Sequence, residues 1–81
     1  MRRVLVTAGG SGIGRAMAEG FAAAGHQVWV TDVSAEVLAD VPKGWRSTAV
    51  DATDEAGVRA LFAEISETWG GLDVLCANAG I

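Results

Sequence analysis

Glycines are concentrated between residues 9 and 14, directly after an apolar run that begins at Arg3. The run from Arg3 to Thr7 is typical of a buried parallel strand, and apolar residues recur at helical spacing from Ile13 onward. A glycine-rich turn between a strand and a helix lets backbone N–H groups approach an anion at the positive end of the helix. The turn is therefore a candidate pyrophosphate site. Its residues are Gly9, Gly10, Ser11, Gly12, Ile13 and Gly14.

The spacing of these glycines differs from two common phosphate-binding patterns. Ser11 and Arg15 occupy positions at which the pattern G-x-G-x-x-G requires glycine. The turn is also not a P-loop, because no Gly-Lys-Ser/Thr sequence follows it. A tight strand-to-helix turn that binds no ligand is therefore an open alternative for this segment.

Asp32 stands at the carboxyl end of a second predicted strand, Gln27 to Thr31. A carboxylate at that place can accept hydrogen bonds from both hydroxyls of an adenosine ribose. It would repel a 2′-phosphate, and the neighbouring Val33 and Ser34 carry no positive charge to offset the repulsion. The sequence therefore favours NAD over NADP, with Arg15 as the one cation that could reach around the loop. A surface acid or a helix cap is the alternative role for Asp32.

Strand-like and helical segments alternate along the rest of the chain. The predicted elements after the first strand are a helix that ends at Gly25, the strand 27–31, a short helix from Ser34 to about Ala39, a strand 47–50, a helix capped by Thr53 and ended at 70–71, and a strand 73–78. Such alternation implies right-handed βαβ units and a parallel sheet with helices on both faces. The prediction is one α/β domain over residues 1–81.

Composition limits the partners and the location of the chain. Six Lys and Arg against ten Asp and Glu give a net charge of −4, which works against binding to nucleic acid or to an anionic membrane surface. One Cys and one His cannot form an internal disulfide or a structural zinc site. Thr7 interrupts the amino-terminal apolar run too early for an export signal. The chain is therefore expected to be cytoplasmic and free of metal.

Four features together resemble the amino-terminal, cofactor-binding half of the short-chain dehydrogenase/reductase family. They are the glycine turn, Asp32, Asp51 and the sequence Ala-Asn-Ala-Gly at 77–80. The family's glycine motif reads Thr-Gly-x-x-x-Gly-x-Gly and its fourth-strand motif reads Asn-Asn-Ala-Gly. The resemblance covers all 81 residues. It implies a Rossmann-type parallel sheet, truncated to about four strands in the order 3-2-1-4, that binds NAD.

The resemblance implies a role for each matched position. The implied contacts are Ser11 and Ile13 with the pyrophosphate, Asp32 and Val33 with the adenosine ribose, Asp51 and Ala52 with the adenine ring, and Asn78, Ala79 and Gly80 beneath the cofactor. Two positions depart from the family motifs. Ala8 replaces the first glycine, which strains the loop only if its φ is positive. Ala77 replaces the first asparagine, which affects a hydrogen bond of the sheet more than cofactor binding.

The resemblance also implies hydride transfer between a nicotinamide cofactor and an alcohol or carbonyl substrate. In the family this chemistry depends on a Ser and a Tyr-x-x-x-Lys pair in the second half, and these 81 residues contain no tyrosine. The expectation is therefore an NAD-binding segment that has no catalytic residue and is inactive by itself. Two alternatives stay open: a standalone nucleotide-binding module, and a truncated remnant that self-associates through an exposed fourth strand.

Overall fold

The computed structural model describes residues 1–78, in which strands and helices alternate. The elements are β1 (Arg3–Val6), α1 (Gly12–Ala23), β2 (Gln27–Asp32), α2 (Ala35–Leu38), β3 (Arg46–Ala49), α3 (Glu55–Trp69) and β4 (Val74–Cys76). The strands form one parallel sheet in the order β3-β2-β1-β4. The predicted α/β fold and its strand order are confirmed.

Apolar side chains on both faces of β1 and β2 explain the layered architecture. A strand covered on both faces needs apolar residues at successive positions rather than at every second one. The cluster on one face contains Val4, Val6, Ala18, Val28, Val30 and Leu38. The cluster on the other face contains Leu5, Trp29, Leu61 and Ile65. Since α1 and α2 cover the first face and α3 the second, the core lies on both sides of the two central strands.

The ends of the helices follow local chemistry. Gly25 follows α1 and Gly70 ends α3 with φ values of 90° and 75°, the left-handed conformation that glycine adopts without strain. The Ser34 hydroxyl oxygen accepts a hydrogen bond from the Val37 N–H, so the predicted cap of α2 is confirmed. None of the helices within residues 1–78 is long and apolar enough to cross a membrane.

The prediction that Thr53 caps α3 is wrong, because Asp54 occupies the N-cap position. The Thr53 side chain is used elsewhere: its hydroxyl and its N–H both donate to Oδ1 of Asp51, at 2.7 and 2.8 Å. Asp and Thr two residues apart form such local turns readily. Because β3 also ends one residue earlier than predicted, the segment between β3 and the cap of α3 is 50–53 instead of 51–52, two residues longer than the sequence pattern predicts.

Arg3 and Asp73 connect β1, β4 and the end of α3. The Arg3 guanidinium contacts the Asp73 carboxylate at 3.0 Å and donates to the Trp69 carbonyl at 2.9 Å. The Arg3 N–H also donates to Asp73 Oδ2, and the Asp73 N–H donates to the Arg3 carbonyl. These bonds fix the start of β4, one of the two edge strands of the described sheet.

Candidate functional site

The carboxyl ends of β1, β2 and β4 meet at one edge of the sheet. In parallel α/β sheets ligands bind outside this edge. The glycine turn leaves β1 there, Asp32 closes β2, and Asn78 follows β4 two residues after its last residue. Asp51 follows β3 at the same edge, so each of the four features singled out in the sequence has a residue there. Ala79 and Gly80, the last two predicted site residues, are outside the described residues.

Gly9 and Gly10 let the turn pack directly on β2 and α2. A Cβ built on Gly9 would lie 2.8 Å from Cγ1 of Val30. A Cβ built on Gly10 would lie 2.4 Å from Cγ1 of Val37 and 3.0 Å from Oδ2 of Asp32. Real Cβ atoms essentially never lie as close to another atom as the two valine distances require, and the distance to Asp32 is tighter than most. The missing side chains thus bring the turn against the Asp32 carboxylate.

The first turn of α1 is open to solvent. Ser11 is its N-cap residue, and the Ser11 side chain makes no capping hydrogen bond. Gly12 has a φ of 61°, and no atom of the described chain lies within 4 Å of a Cβ built on it. Ile13 is 70% exposed, which is unusual for a large apolar residue. The helix end presents its N–H groups and a free hydroxyl to an approaching anion.

Gly14 is held between the turn and the end of β4. A Cβ on Gly14 would lie 2.1 Å from the Ala8 carbonyl oxygen and 2.7 Å from Nδ2 of Asn78. The Asn78 N–H donates to Oγ1 of Thr7 at 2.8 Å, and the Thr7 N–H donates to the Cys76 carbonyl at 3.1 Å. These contacts connect the glycine turn to β4, so the two segments are positioned together.

Ala8 adopts a φ of 53°, in the left-handed region that favours glycine. Ala8 occupies the position of the first glycine in the motif of the family that the chain resembles. Of the two conformations considered from the sequence, the strained one is therefore present. The turn therefore contains a positive φ that the methyl group of Ala8 disfavours.

The Asp32 carboxylate is half-buried and oriented by its neighbours. Its Oδ1 accepts a hydrogen bond from the Ser34 N–H at 3.3 Å, while Oδ2 faces Gly10. Val33, directly beside it, is 70% exposed. A carboxylate held by backbone at a strand end can accept further hydrogen bonds from a ligand, as its position in the sequence predicts.

Asp51 and Ala52 are separated by the structure, although they are neighbours in the chain. Asp51 is exposed, and the two Thr53 bonds to its Oδ1 hold its pKa below the ordinary value for Asp. It lines an open hollow of about 400 Å³ together with Val33. Ala52 instead lines an apolar cavity of about 220 Å³ beside Leu75 of β4. Asp51 and Val33 thus border one hollow and Ala52 the cavity next to it, since Val50 and Leu61 line both.

Two residues of this site are not predicted by the sequence pattern. Val37 of α2 determines how closely the helix approaches Gly10, and Thr7 accepts the bond from Asn78. Thr7 stands between the last residue of β1 and the glycines, a place where a hydroxyl often bonds to neighbouring backbone. That placement is a usable signal, whereas the Val37 contact follows only from packing.

The chain is similar to known proteins over nearly its whole length. A family model described as short chain dehydrogenase matches residues 2–81. A sorbitol dehydrogenase of Cereibacter sphaeroides is 32% identical, and the alignment covers 99% of this chain and 33% of that protein. The 3-oxoacyl-acyl-carrier-protein reductase MabA of Mycobacterium bovis is 41% identical, with 99% and 31% covered.

Solved structures show the same similarity. The L-sorbose reductase of Gluconobacter frateurii, determined in complex with NADPH and L-sorbose, superposes with a TM-score of 0.90 at 32% identity. That match covers 99% of this chain and 34% of the reductase. The chain therefore spans about a third of the length of the relatives that it matches.

Proposed function

The chain belongs to the short-chain dehydrogenase/reductase family, and on that basis we propose that its site binds NAD and forms the cofactor-binding part of an oxidoreductase. The proposed domain is the dinucleotide-binding half of a Rossmann domain, residues 1–81. The proposed contacts are those that the resemblance implies: Gly9, Gly10, Ser11, Gly12, Ile13, Gly14, Asp32, Val33, Asp51, Ala52, Asn78, Ala79 and Gly80.

The observation that carries the proposal is the approach of Asp32 to the glycine turn. A dinucleotide has a pyrophosphate and a ribose a short distance apart, so its site needs N–H groups and a ribose acceptor side by side. Asp32 Oδ2 lies 3.0 Å from the place where Gly10 would carry a Cβ. The open end of α1 begins directly after Gly10. The two groups needed are therefore adjacent.

The charges around Asp32 favour NAD over NADP. The Asp32 carboxylate would repel a 2′-phosphate, and the adjacent Val33 is apolar. Arg15, the cation that could offset this repulsion, instead contacts Glu19 and the Trp45 ring. A similar protein, the L-sorbose reductase, was determined with NADPH bound. The preference for NAD is therefore argued from the residues of the present chain and not from the family.

The proposed reaction of a full-length protein is hydride transfer between nicotinamide and an alcohol or carbonyl group. Two relatives are named a sorbitol dehydrogenase and a 3-oxoacyl reductase, which act on groups of this class. The 81 residues contain no tyrosine, so we expect this chain alone to bind cofactor without reducing or oxidising a substrate. The second candidate function is a standalone nucleotide-binding module, because Asp32 and the glycine turn already lie side by side within the described residues. A cytoplasmic location is proposed with both.

NADH binding to the 81-residue chain, measured by isothermal titration calorimetry, tests the proposal. Asp32→Ala removes the ribose acceptor and is expected to weaken binding about tenfold or more, the loss of charge-assisted hydrogen bonds. Glu36→Ala is the matched control, because it removes the same charge from an exposed position of α2.

Binding that Asp32→Ala weakens and Glu36→Ala leaves nearly unchanged would support the ribose assignment. Equal NADH affinities in wild type and Asp32→Ala would remove Asp32 from the site. If the unaltered chain does not bind NADH, both candidate functions fail. Turnover of alcohols or ketones by the 81-residue chain would contradict the expected inactivity.

A further inference from the structure

Arg15 is held by three groups on the side of α1 that faces α2. Its Nε donates to Glu19 at 3.2 Å, and its Nη2 lies 3.5 Å from the Asp40 carbonyl oxygen. The guanidinium also stacks 5.3 Å from the centre of the Trp45 ring. An ion pair, a carbonyl and an aromatic face together keep this side chain at the carboxyl end of α2.

The other end of α2 carries the proposed ribose site. Ser34 caps the helix and donates its N–H to Asp32, while Val37 packs against the glycine turn. A four-residue helix is only about 6 Å long at 1.5 Å per residue. Long side chains on helices lean toward the N-terminus, and that end of α1 is the glycine turn itself. Arg15 stands four residues after the N-cap Ser11 and so on the same side of α1. We therefore expect its side chain to turn toward the ribose edge once its present contacts are lost.

We propose that Glu19 and Trp45 strengthen the selection against a 2′-phosphate by holding Arg15 away from the ribose edge. The inference rests on the proposed function, because it concerns the same cofactor site. Asp32 excludes the phosphate by repulsion, and the Arg15 contacts remove the cation that would counter this repulsion. Glu19 and Trp45 are thus specificity-determining residues that do not themselves touch the cofactor.

The ratio of NADPH to NADH dissociation constants, measured by calorimetry on the 81-residue chain, tests this inference. Glu19→Gln and Trp45→Leu each remove one contact of Arg15. The ratio should fall about twofold in Glu19→Gln, the range of an exposed i,i+4 ion pair, and about twofold to fivefold in Trp45→Leu, the range of an exposed cation–π contact. Each is also combined with Arg15→Gln. The combined variants should return to the wild-type ratio, because the effect passes through Arg15.

Two controls separate the effect from general charge and folding. Glu36→Gln removes a carboxylate from α2 without releasing Arg15, so it should change the ratio less than Glu19→Gln. Trp45 packs against the core, whereas the Glu19 side chain is 57% exposed. Glu19→Gln therefore decides the matter if Trp45→Leu does not fold.

The inference is overturned if NADH binds normally and the ratio stays constant in Glu19→Gln. It is also overturned if the ratio falls equally with and without Arg15. If the wild-type chain does not bind NADH at all, the result contradicts the proposed function and, with it, the inference.

Discussion

Single residues determine the shape of the glycine turn. Ala8 and Gly12 both have positive φ values, of 53° and 61°, yet only Gly12 adopts this conformation without steric cost. The Ala8 carbonyl lies against Gly14, so a change of φ at Ala8 would displace the oxygen that Gly14 accommodates. The strained residue therefore keeps its conformation because the packing around it requires this.

Replacement of Ala8 by glycine should stabilise the chain. A left-handed conformation costs a non-glycine residue about 1–2 kcal/mol, and the greater freedom of glycine in the unfolded chain offsets about 0.4–1 kcal/mol of the gain. The expected increase in the free energy of unfolding is about 0.5–1 kcal/mol, measured by urea denaturation. Ala16→Gly, at an exposed position in α1, should instead destabilise by about 1 kcal/mol. Equal losses in both variants would refute the strain at Ala8.

Two kinds of contact position β4 relative to the other elements. One is a close approach that only a residue without a side chain allows, and the other is an ion pair. The first turn of α1 approaches β4 because Gly14 has no side chain. At the opposite edge of the sheet, Arg3 and Asp73 fix the start of the same strand. β4 is only three residues long, so these contacts at its two ends carry much of its placement.

Two glycine substitutions in α1 should have opposite effects on stability. A methyl group at Gly14 would lie 2.1 Å from the Ala8 carbonyl, a backbone atom that cannot move aside, and should cost about 2 kcal/mol or more. A Cβ built on Gly20 would have open space around it to 4 Å. Gly20→Ala should therefore stabilise the chain by about 0.5–1 kcal/mol through helix propensity. Thermal unfolding followed by circular dichroism measures both. Similar melting temperatures for the two variants would contradict this packing.

The Arg3–Asp73 pair predicts a loss of stability in acid. Hydrogen bonds from Arg3 lower the pKa of Asp73 from 3.8 to about 2, so folding favours the ionised carboxylate. The stability that Asp73 contributes is present above pH 4 and is lost as the pH falls through about 2. Melting temperatures between pH 5 and pH 2 should therefore fall less steeply in Asp73→Asn than in wild type.

The control for that titration is Glu67→Gln, which removes an exposed carboxylate of α3. This variant changes the net charge as Asp73→Asn does but leaves the Arg3–Asp73 contact in place. A change of slope common to both variants would therefore be an effect of net charge. Asp51 also has a lowered pKa, so a weaker acid dependence is expected to persist in Asp73→Asn. An unchanged slope in Asp73→Asn would show that the ion pair does not contribute to stability in solution.

At the scale of the whole molecule, the sheet is covered completely at its centre and incompletely beside β4. Leu75 is 50% exposed and Phe62 is 41% exposed on the α3 face. An apolar cavity of about 220 Å³ lies beside Leu75, and a second hollow of about 490 Å³ lies beside Cys76. A parallel strand with apolar space beside both of its faces is an unusual edge.

We therefore expect the 81-residue chain to self-associate through β4. Leu75→Lys places a charge on this edge and should shift sedimentation-velocity distributions toward the monomer at a given concentration. Ala63→Lys adds the same charge at an exposed position of α3 and should have little effect. A wild-type chain that stays monomeric at all concentrations would contradict the prediction.

The sequence by itself determined the order of elements and the edge at which the site lies. Short apolar runs that alternate with helical patterns favour buried parallel strands, and glycines after the first of them mark a turn with exposed N–H groups. The position of Asp32 at the end of β2 then follows from the chain order alone. The order of elements depends on the pattern of neighbouring residues. The arrangement of the strands depends on the right-handed crossover that almost all βαβ units share.

Only the tertiary structure decided which side chains meet across elements. The sequence left the φ of Ala8 open, and the packing of Gly14 against its carbonyl selects the positive value. The sequence left Arg15 free to reach the cofactor, and the Trp45 ring after α2 holds it instead. Such contacts join residues that are distant in the chain, and their geometry depends on how closely the helices approach the sheet.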